Sequence, residues 1–245
     1  KIHDSFGGSF LGCVAGGAPL DVEVGEFFQR IGLRVYQGYG LTETSPVVSV
    51  DTDKFWRDLS SVGKPLRSYK VKVDKASGEL LLAGPSIMKG YHNQPELTAQ
   101  TIDEDGWFHT GDIAKIDARG HIYITGRIKN MIVLSGGKKV FPEEVETVLE
   151  KSEYFQEICV LGVPRSGGAK DGTEDIAAVI LPKEELLRKY DDETVNKMIK
   201  DEVKRLGQKL APYKRPMNIN IVKEPLPRTS TRKIKRNLVK ELVKA

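Results

Sequence analysis

The spacing of apolar positions changes along the chain, and each change marks an element. Residues 20–31 carry apolar side chains at helical spacing behind Asp21, with Gly32 as a stop, which predicts a helix. Leu33-Arg34-Val35-Tyr36 reads as a short strand that runs into a loop rich in glycine and hydroxyls at residues 38–44. Strict alternation over residues 70–74, the turn Ala76-Ser77-Gly78 and the apolar run 79–83 predict a hairpin. A second turn, Asp117-Ala118-Arg119-Gly120, leads into a strand over 121–125. Farther on, strands at 131–134, 157–163, 176–181 and 218–222 alternate with helices at 142–151, 193–210 and 234–243. In the second of these helices Val195, Ile199, Val203, Leu206 and Leu210 share one face, and Pro212 follows its end. The first opens with Pro142 at N1 and Glu143 and Glu144 in its first turn, where carboxylates meet the positive end of the helix dipole.

This pattern predicts an α+β (α/β) chain in two parts. Residues 1–126 form the first, β-rich over 60–126, and residues 127–245 form a compact α+β unit. No repeat or low-complexity stretch interrupts either part.

Composition narrows the class. Of 245 residues, 39% are hydrophobic and 29% charged, which excludes a disordered or collagen-like chain. Cys13 and Cys159 are the only cysteines and lack CxxC spacing, so they read as core residues of a reduced, cytoplasmic protein rather than a disulfide scaffold. Apolar runs such as 80–83 and 177–181 fall far short of the ~20 residues of a membrane span, and residues 1–245 predict no signal peptide. The start at Lys1, without Met, reads as the interior of a longer protein. The net charge of +4 hides an asymmetry: from residue 204 onward there are 13 Lys/Arg and 2 acids, against 25 basic and 32 acidic residues before it. A tail of that kind suits nucleic acid, a smaller polyphosphate such as ATP or coenzyme A, or simply a solvated basic face.

The common catalytic motifs are missing. There is no GxxxxGK[ST] loop, no GxGxxG before a helix, no GxSxG elbow and no HExxH; His3, His92, His109 and His121 have no ligand spacing, so a zinc site is not expected. Five other segments carry chemistry. Ala15-Gly16-Gly17-Ala18-Pro19-Leu20 has tandem glycines that let backbone approach a flat ligand. Tyr39-Gly40-Leu41-Thr42-Glu43 offers an aromatic face for a base, a hydroxyl for a phosphate oxygen and a carboxylate for Mg²⁺. Asp112, at the end of GWFHTGD, is able to accept the two adjacent hydroxyls of a ribose. Arg127 begins RIKN, followed by the glycine loop Ser135-Gly136-Gly137. Last, Lys233 lies in the Thr-rich stretch PRTSTRKI, where a mobile cation could neutralise charge developing on a phosphate. Each segment also has a bland reading as a turn, a surface carboxylate, a dipole-matched helix start or one more charge in a basic tail.

Taken in this order, the segments resemble the adenylate-forming (AMP-binding) enzymes: acyl-CoA synthetases, firefly luciferase and the adenylation domains of peptide synthetases. Residues 38–46, GYGLTETSP, look like the fatty acyl-CoA ligase branch. The resemblance implies that residues 1–126 are the end of the family's large domain, with a β-barrel-like subdomain over 60–126, and that residues 127–245 are its small mobile C-terminal domain. It implies nucleotide-binding roles for Gly17, Ala18, Pro19, Tyr39 and Gly40. It places Thr42 and Glu43 at the phosphates, with Glu43 on Mg²⁺, and Asp112 and Arg127 at the ribose. Lys129 matches the hinge, where many relatives carry Asp. Ser135, Gly136 and Gly137 would line the pantetheine channel for coenzyme A. Lys233 matches the adenylation lysine, although the residue before it, usually Gly, is Arg232 here.

The implied activity is that of an AMP-forming acyl-CoA synthetase, an acid–thiol ligase using ATP, Mg²⁺ and coenzyme A on a carboxylate, taken as a fatty acid. Two alternatives stay open: a ligase loading a carrier-protein thiol, and a non-enzymatic nucleotide- or nucleic-acid-binding module. Nucleic acid is not the expected partner. Peripheral membrane contact is left open by residues 233–244, where Ile234, Leu238 and Leu242 form an apolar stripe among lysines that could equally face the domain core. The family's phosphate-gripping loop lies upstream and has no counterpart in residues 1–245. Little or no turnover is therefore expected of this stretch without the N-terminal part of its large domain.

Overall fold

A computed structural model of the chain describes residues 2–51, 58–164, 173–229 and 232–244. The chain divides into two compact units, Lys1–Ile128 and Lys129–Ala245, each described by itself below. Of the Thr-rich segment around Lys233, Ser230 and Thr231 lie outside the described residues.

The first unit opens with a short helix α1 (Ile2–Ser5) and strand β1 (Gly12–Ala15). Helix α2 (Val22–Arg30) follows, capped by Asp21, whose carboxylate accepts Glu23 and Val24 N–H. Gly32, at φ +84°, ends it. Strand β2 (Arg34–Gly40) is longer than the pattern predicts: it continues through Gln37, Gly38 and Tyr39 because β1 pairs with it in parallel up to Ala15–Gln37 and β3 (Val47–Val50) pairs on its other side. Tyr39 and Gly40 therefore stand on a strand rather than in a loop. β4 (Lys64–Pro65) completes a sheet of order β1-β2-β3-β4.

The β-rich part is an antiparallel meander of β5 (Lys70–Val73), β6 (Glu79–Ala83), β7 (Phe108–Ile116) and β8 (Ile122–Arg127), with helix α3 (Pro95–Thr101) between β6 and β7. Register breaks between Glu79 and Leu81 and between Ile113 and Ala114 bend this sheet. Its inner face packs Leu80, Leu82, Phe108, Ala114 and Ile122 against Val48, Val62 and Tyr69. The edge strand β1 is different: Leu11, Cys13 and Val14 are exposed, as are Val24 and Phe27 of α2. Cys13 is thus not the core residue expected, because no element among the described residues covers the outer side of β1.

The second unit begins with a tight hairpin of β9 (Ile132–Val133) and β10 (Lys139–Val140), then α4 (Pro142–Leu149). β11 (Phe155–Pro164) pairs antiparallel with β12 (Glu174–Pro182), which pairs in parallel with β13 (Asn218–Ile221). Between β12 and β13 lie α5 (Glu184–Lys189) and α6 (Asp192–Gly207). One face of the sheet meets α4 and α6, burying Val145, Leu149, Val195, Ile199, Val203 and Leu206. The other face carries Cys159, Leu161, Ala177 and Val179 under Leu226 and Val239 of α7 (Arg236–Lys244). In α7 Val239 is buried, and Val243, one turn on, packs on the same cluster, as does Ile234 just before the helix; Leu238 is half-buried and Leu242 is exposed, so the Ile234–Leu238–Leu242 stripe faces the core only in part. Burial pushes the Cys159 thiol up to about 12, which leaves it unreactive.

Part of the basic tail is paired with acids of its own unit. Among the described residues, Arg205, Lys214, Lys223, Arg228, Arg236 and Lys240 form ion pairs with Glu202, Glu144, Asp192, Glu157, Glu146 and Glu174. Six of its thirteen cations are thereby matched, so the +11 counted along the sequence overstates the free charge. No helix among the described residues is long and apolar enough to cross a membrane.

Candidate functional site

Parallel pairing of β1 and β2 brings their carboxyl ends together, the place where open α/β sheets leave a crevice for ligands. The tandem-glycine segment leaves β1 here. A Cβ at Gly16 would lie 3.1 Å from Gly38 O, so this loop runs against the backbone of β2. Gly17 takes φ +80° with open space beside it, and Ala18 and Pro19 are exposed.

At the end of β2 the chain turns sharply. A Cβ at Gly40 would stand 1.8 Å from Pro46 O, so only glycine fits. The turn that follows, Thr42–Thr44, is a single 3₁₀ turn. Its two threonines differ: Thr44 is buried, its Oγ1 accepting Leu41 N–H at 2.9 Å and donating to Pro46 O at 2.6 Å, whereas Thr42 is exposed. Tyr69 Oη donates to Thr44 O and braces the turn from the meander side. Glu43 is half-buried between them, and Tyr91 Oη donates to its Oε1 at 2.9 Å. Burial, then the hydrogen bond to Glu43, raises the Tyr91 hydroxyl above its usual range.

The centre of the site is Asp112 on β7. Its side chain is 3% exposed, Arg127 Nε donates to Oδ1 at 2.6 Å, and Tyr39 Oη donates to Oδ2 at 2.6 Å. Register places Arg127 directly opposite Asp112 across β7 and β8. Burial and the adjacent Asp112 carboxylate push the Tyr39 hydroxyl far above the ordinary tyrosine value, so it remains a donor at every working pH. A carboxylate offers about four acceptor positions, and these two contacts leave positions over for a further pair of donors. Below this point Gly111 N–H and His109 Nδ1 both lie on the Glu79 carboxylate, at 2.8 and 2.9 Å. Trp107 is covered by Lys72, whose Nζ sits 3.9 Å from the ring centroid.

The structure therefore brings Tyr39, Asp112 and Arg127 into one hydrogen-bonded cluster, with Gly16 against Gly38 and Thr42 and Glu43 on the turn that continues β2. Sequence reasoning missed Tyr91 and Glu79. Each acts across dozens of residues, on Glu43 and His109, and neither spacing nor composition signals such a contact. Lys129, Ser135, Gly136, Gly137 and Lys233 belong to the second unit. Lys129 is exposed in a 3₁₀ turn (Ile128–Asn130) at its start. Ser135, Gly136 and Gly137 form the exposed tip of the β9–β10 hairpin, where consecutive φ values of +85° and +76° call for the two glycines. Among the described residues no group of three or more His, Cys, Asp or Glu is placed to hold a metal ion. The chemistry of Glu43 fits Mg²⁺ in a different way, since that ion is usually held by one or two carboxylates plus substrate phosphates.

Lys233 is exposed, and Arg232 before it adopts φ +65°. That left-handed conformation costs a non-glycine residue roughly 1–2 kcal/mol. Arg232→Gly is accordingly expected to raise the melting midpoint of the second unit by a few degrees, read by calorimetry, after the entropy of an added glycine offsets part of the gain. An unchanged or lower midpoint would mean that the arginine makes a compensating contact.

In the first unit the Asp112 carboxylate of β7 is held by Tyr39 of β2 and Arg127 of β8, and the second unit is a separate α+β fold with an exposed Lys233. Two family models agree: "AMP-binding enzyme" over residues 3–92 and "AMP-binding enzyme C-terminal domain" over residues 144–233. The chain belongs to this AMP-binding, adenylate-forming family. It is 36% identical to a long-chain-fatty-acid–CoA ligase of Bacillus subtilis over 95% of its own length and 41% of the relative's. It is also 36% identical to a chloroplastic long-chain-fatty-acid–[acyl-carrier-protein] ligase of Arabidopsis thaliana, over 82% of its length and 29% of that protein's. Among solved structures it is similar to the O-succinylbenzoate coenzyme A synthetase of Bacillus subtilis in complex with its acyl-adenylate, at 29% identity and a TM-score of 0.78, over 93% of this chain and 46% of that one. The chain spans less than half the length of each of these relatives.

Proposed function

We propose that the chain is the C-terminal part of an AMP-forming acyl-CoA synthetase, an acid–thiol ligase that activates a fatty acid in the cytoplasm. The observation that carries this reading is the Asp112 carboxylate held by Tyr39 and Arg127, with the tandem-glycine loop running against Gly38, the residue before Tyr39. Two adjacent donors are what a ribose diol presents, and a glycine-lined wall next to an aromatic ring suits a base.

In this reading Gly17, Ala18, Pro19, Tyr39 and Gly40 receive the adenine, and Asp112 accepts the ribose hydroxyls. Arg127, half-exposed, turns from the carboxylate toward ribose or phosphate as the nucleotide enters. The substrate carboxylate oxygen attacks the α-phosphorus of ATP; the P–O bond to pyrophosphate breaks and acyl-AMP forms. Both reactants are anionic, so the step needs cations near the reacting oxygens. Lys233 supplies one from the second unit, and Thr42 donates to a phosphate oxygen. Glu43, oriented by Tyr91, would hold Mg²⁺, which offsets phosphate charge when bound. Rotation about Lys129 then withdraws Lys233 and brings the Ser135-Gly136-Gly137 hairpin to the coenzyme A thiol, which displaces AMP from the acyl carbon. One site built two ways is a hinge mechanism. The exposed apolar side of β1 and α2 is the surface on which the rest of a large domain would pack.

A second reading has a specific observation behind it: the Arabidopsis relative is named for an acyl-carrier-protein acceptor. The test is AMP release and thioester formation by the whole protein with a long-chain fatty acid and MgATP, offered free coenzyme A or an acyl carrier protein in turn. Product with free coenzyme A is expected. Product only with the carrier would reassign the acceptor, and product with neither would reject the ligase reading.

A further inference from the structure

An exposed lysine on a free loop would seldom point the same way twice. The Lys233 loop is not free. Thr229 N–H donates to Lys233 O at 2.8 Å, Lys233 N–H to Thr229 Oγ1 at 3.0 Å, and Lys235 N–H to Pro227 O at 2.8 Å. Its leading side is fixed by Arg228 on Glu157 at 3.0 Å, and Glu157 also accepts Leu226 N–H at 2.8 Å. Its trailing side is fixed by Arg236, three residues after Lys233.

Arg236 is the more enclosed of the two arginines. Its guanidinium forks onto Glu146 of α4 at 2.5 and 2.6 Å, and Nη1 also donates to Val160 O of β11 at 2.7 Å. Glu146 Oε1 in turn accepts Val160 N–H at 2.7 Å. Nη2 lies 3.5 Å from Glu143 Oε1, and that same oxygen accepts Asn130 Nδ2 at 2.7 Å. Asn130 directly follows Lys129. A continuous set of polar contacts therefore runs from the Lys233 loop through Arg236 and Glu143 to the turn that opens the second unit.

Stability alone does not account for this arrangement. Buried ion pairs replaced by apolar residues of similar volume are often neutral or more stable. Glu143 Oε2 is buried with no hydrogen-bond partner among the described residues, a cost that an apolar side chain would avoid. What a forked arginine supplies that packing does not is a fixed direction.

We propose that Arg236 and Glu143 are positioning residues for the adenylation step. Arg236 seats the Lys233 loop on α4 and β11, and Glu143 links that seat to the turn carrying Lys129, so that the lysine moves with the second unit as one rigid piece. The proposal rests on the role given to Lys233 above.

The test uses the whole protein and measures both half-reactions, acyl-AMP formation and thioester formation from supplied acyl-AMP, alongside melting. Arg236→Lys keeps the charge but loses the fork. It is expected to lower kcat for acyl-AMP formation by ~10²-fold, the cost of a misplacement of about 1 Å, with KM for ATP and the thioester half changed less than about threefold. Glu143→Gln keeps an acceptor for Asn130 and removes the charge facing Arg236; a smaller loss, confined to the same half, is expected. Val203→Ala, a core truncation in the same unit, is the control for destabilisation and should leave the ratio of the two halves unchanged. If Arg236→Lys lowers both halves together, as the control does, or lowers neither, the positioning role is overturned. If Lys233→Ala separates the halves while Arg236→Lys does not, only this inference fails. If Lys233→Ala does not separate them, the assignment of Lys233 fails and this inference with it.

Discussion

Lys233→Ala in the whole protein is expected to cut acyl-AMP formation by ~10²–10³-fold while sparing thioester formation from supplied acyl-AMP. The magnitude is that of losing one preorganised donor aimed at developing charge. The selectivity follows from the proposed rotation, because a lysine that has left the site cannot affect the second half. Folding should be untouched: the side chain is exposed, and the loop's hydrogen bonds run through its backbone N–H and C=O, which alanine keeps. Exposed substitutions of that kind usually change stability by less than about 0.5 kcal/mol. Quenched-flow detection of acyl-AMP and a thioester assay started from synthetic acyl-AMP give the two rates. Equal loss in both would sink the two-state assignment of this residue.

Asp112→Asn is expected to have the largest effect within the first unit. Asn has nearly the same shape but only one acceptor oxygen: with its amide N–H₂ toward Arg127 Nε two donors oppose each other, and with it toward Tyr39 Oη the hydroxyl can accept only by turning its own proton away from the acceptor it now has at 2.6 Å. Tyr39 offers no escape by ionising, because burial, the largest cause of its raised value, persists in the variant. Leaving one buried donor unmatched costs about 1–3 kcal/mol. Part of the charge loss at Arg127 is screened, since that side chain is 38% exposed. The melting midpoint should therefore fall by several degrees, and AMP affinity, measured by calorimetry on the whole protein, should fall at least ~tenfold, one lost hydrogen bond to a charged group being worth about 1.5–3 kcal/mol. Unchanged AMP affinity in a folded Asp112→Asn protein would remove the ribose role from Asp112.

Much of this architecture could be read in the residue pattern. Asp21 and Gly32 bracket α2, the KVKVD alternation became β5, and the single face of Val195, Ile199, Val203 and Leu206 became the buried side of α6. These features depend on side-chain period and on capping within a few residues, which sequence shows directly. Where the reading missed, long-range contact overrode local preference. β2 outran its expected end because β1 and β3 pair with Gln37, Gly38 and Tyr39; Cys13 is exposed because β1 is an edge; and α7 buries Val239 while Leu242 stays exposed, because the sheet it packs on selects the face. The candidate site divides the same way. Tyr39, Glu43, Asp112 and Lys233 were legible as residue types in order, whereas Tyr91 on Glu43 and Arg236 on Glu146 join positions 48 and 90 residues apart.

Sequence by itself determined the family, the order of the chemistry-bearing segments, the predicted elements and the glycines at the hairpin tip, since each depends on neighbours within a turn or two. Only the tertiary structure decided that Tyr39 and Arg127 both bond Asp112, that six cations of the tail face carboxylates, and that Arg232 takes a left-handed backbone beside Lys233. The physical reason is that hydrogen bonds and ion pairs depend on distance in space, and distance between residues far apart in a chain is set by the packing of sheets and helices between them.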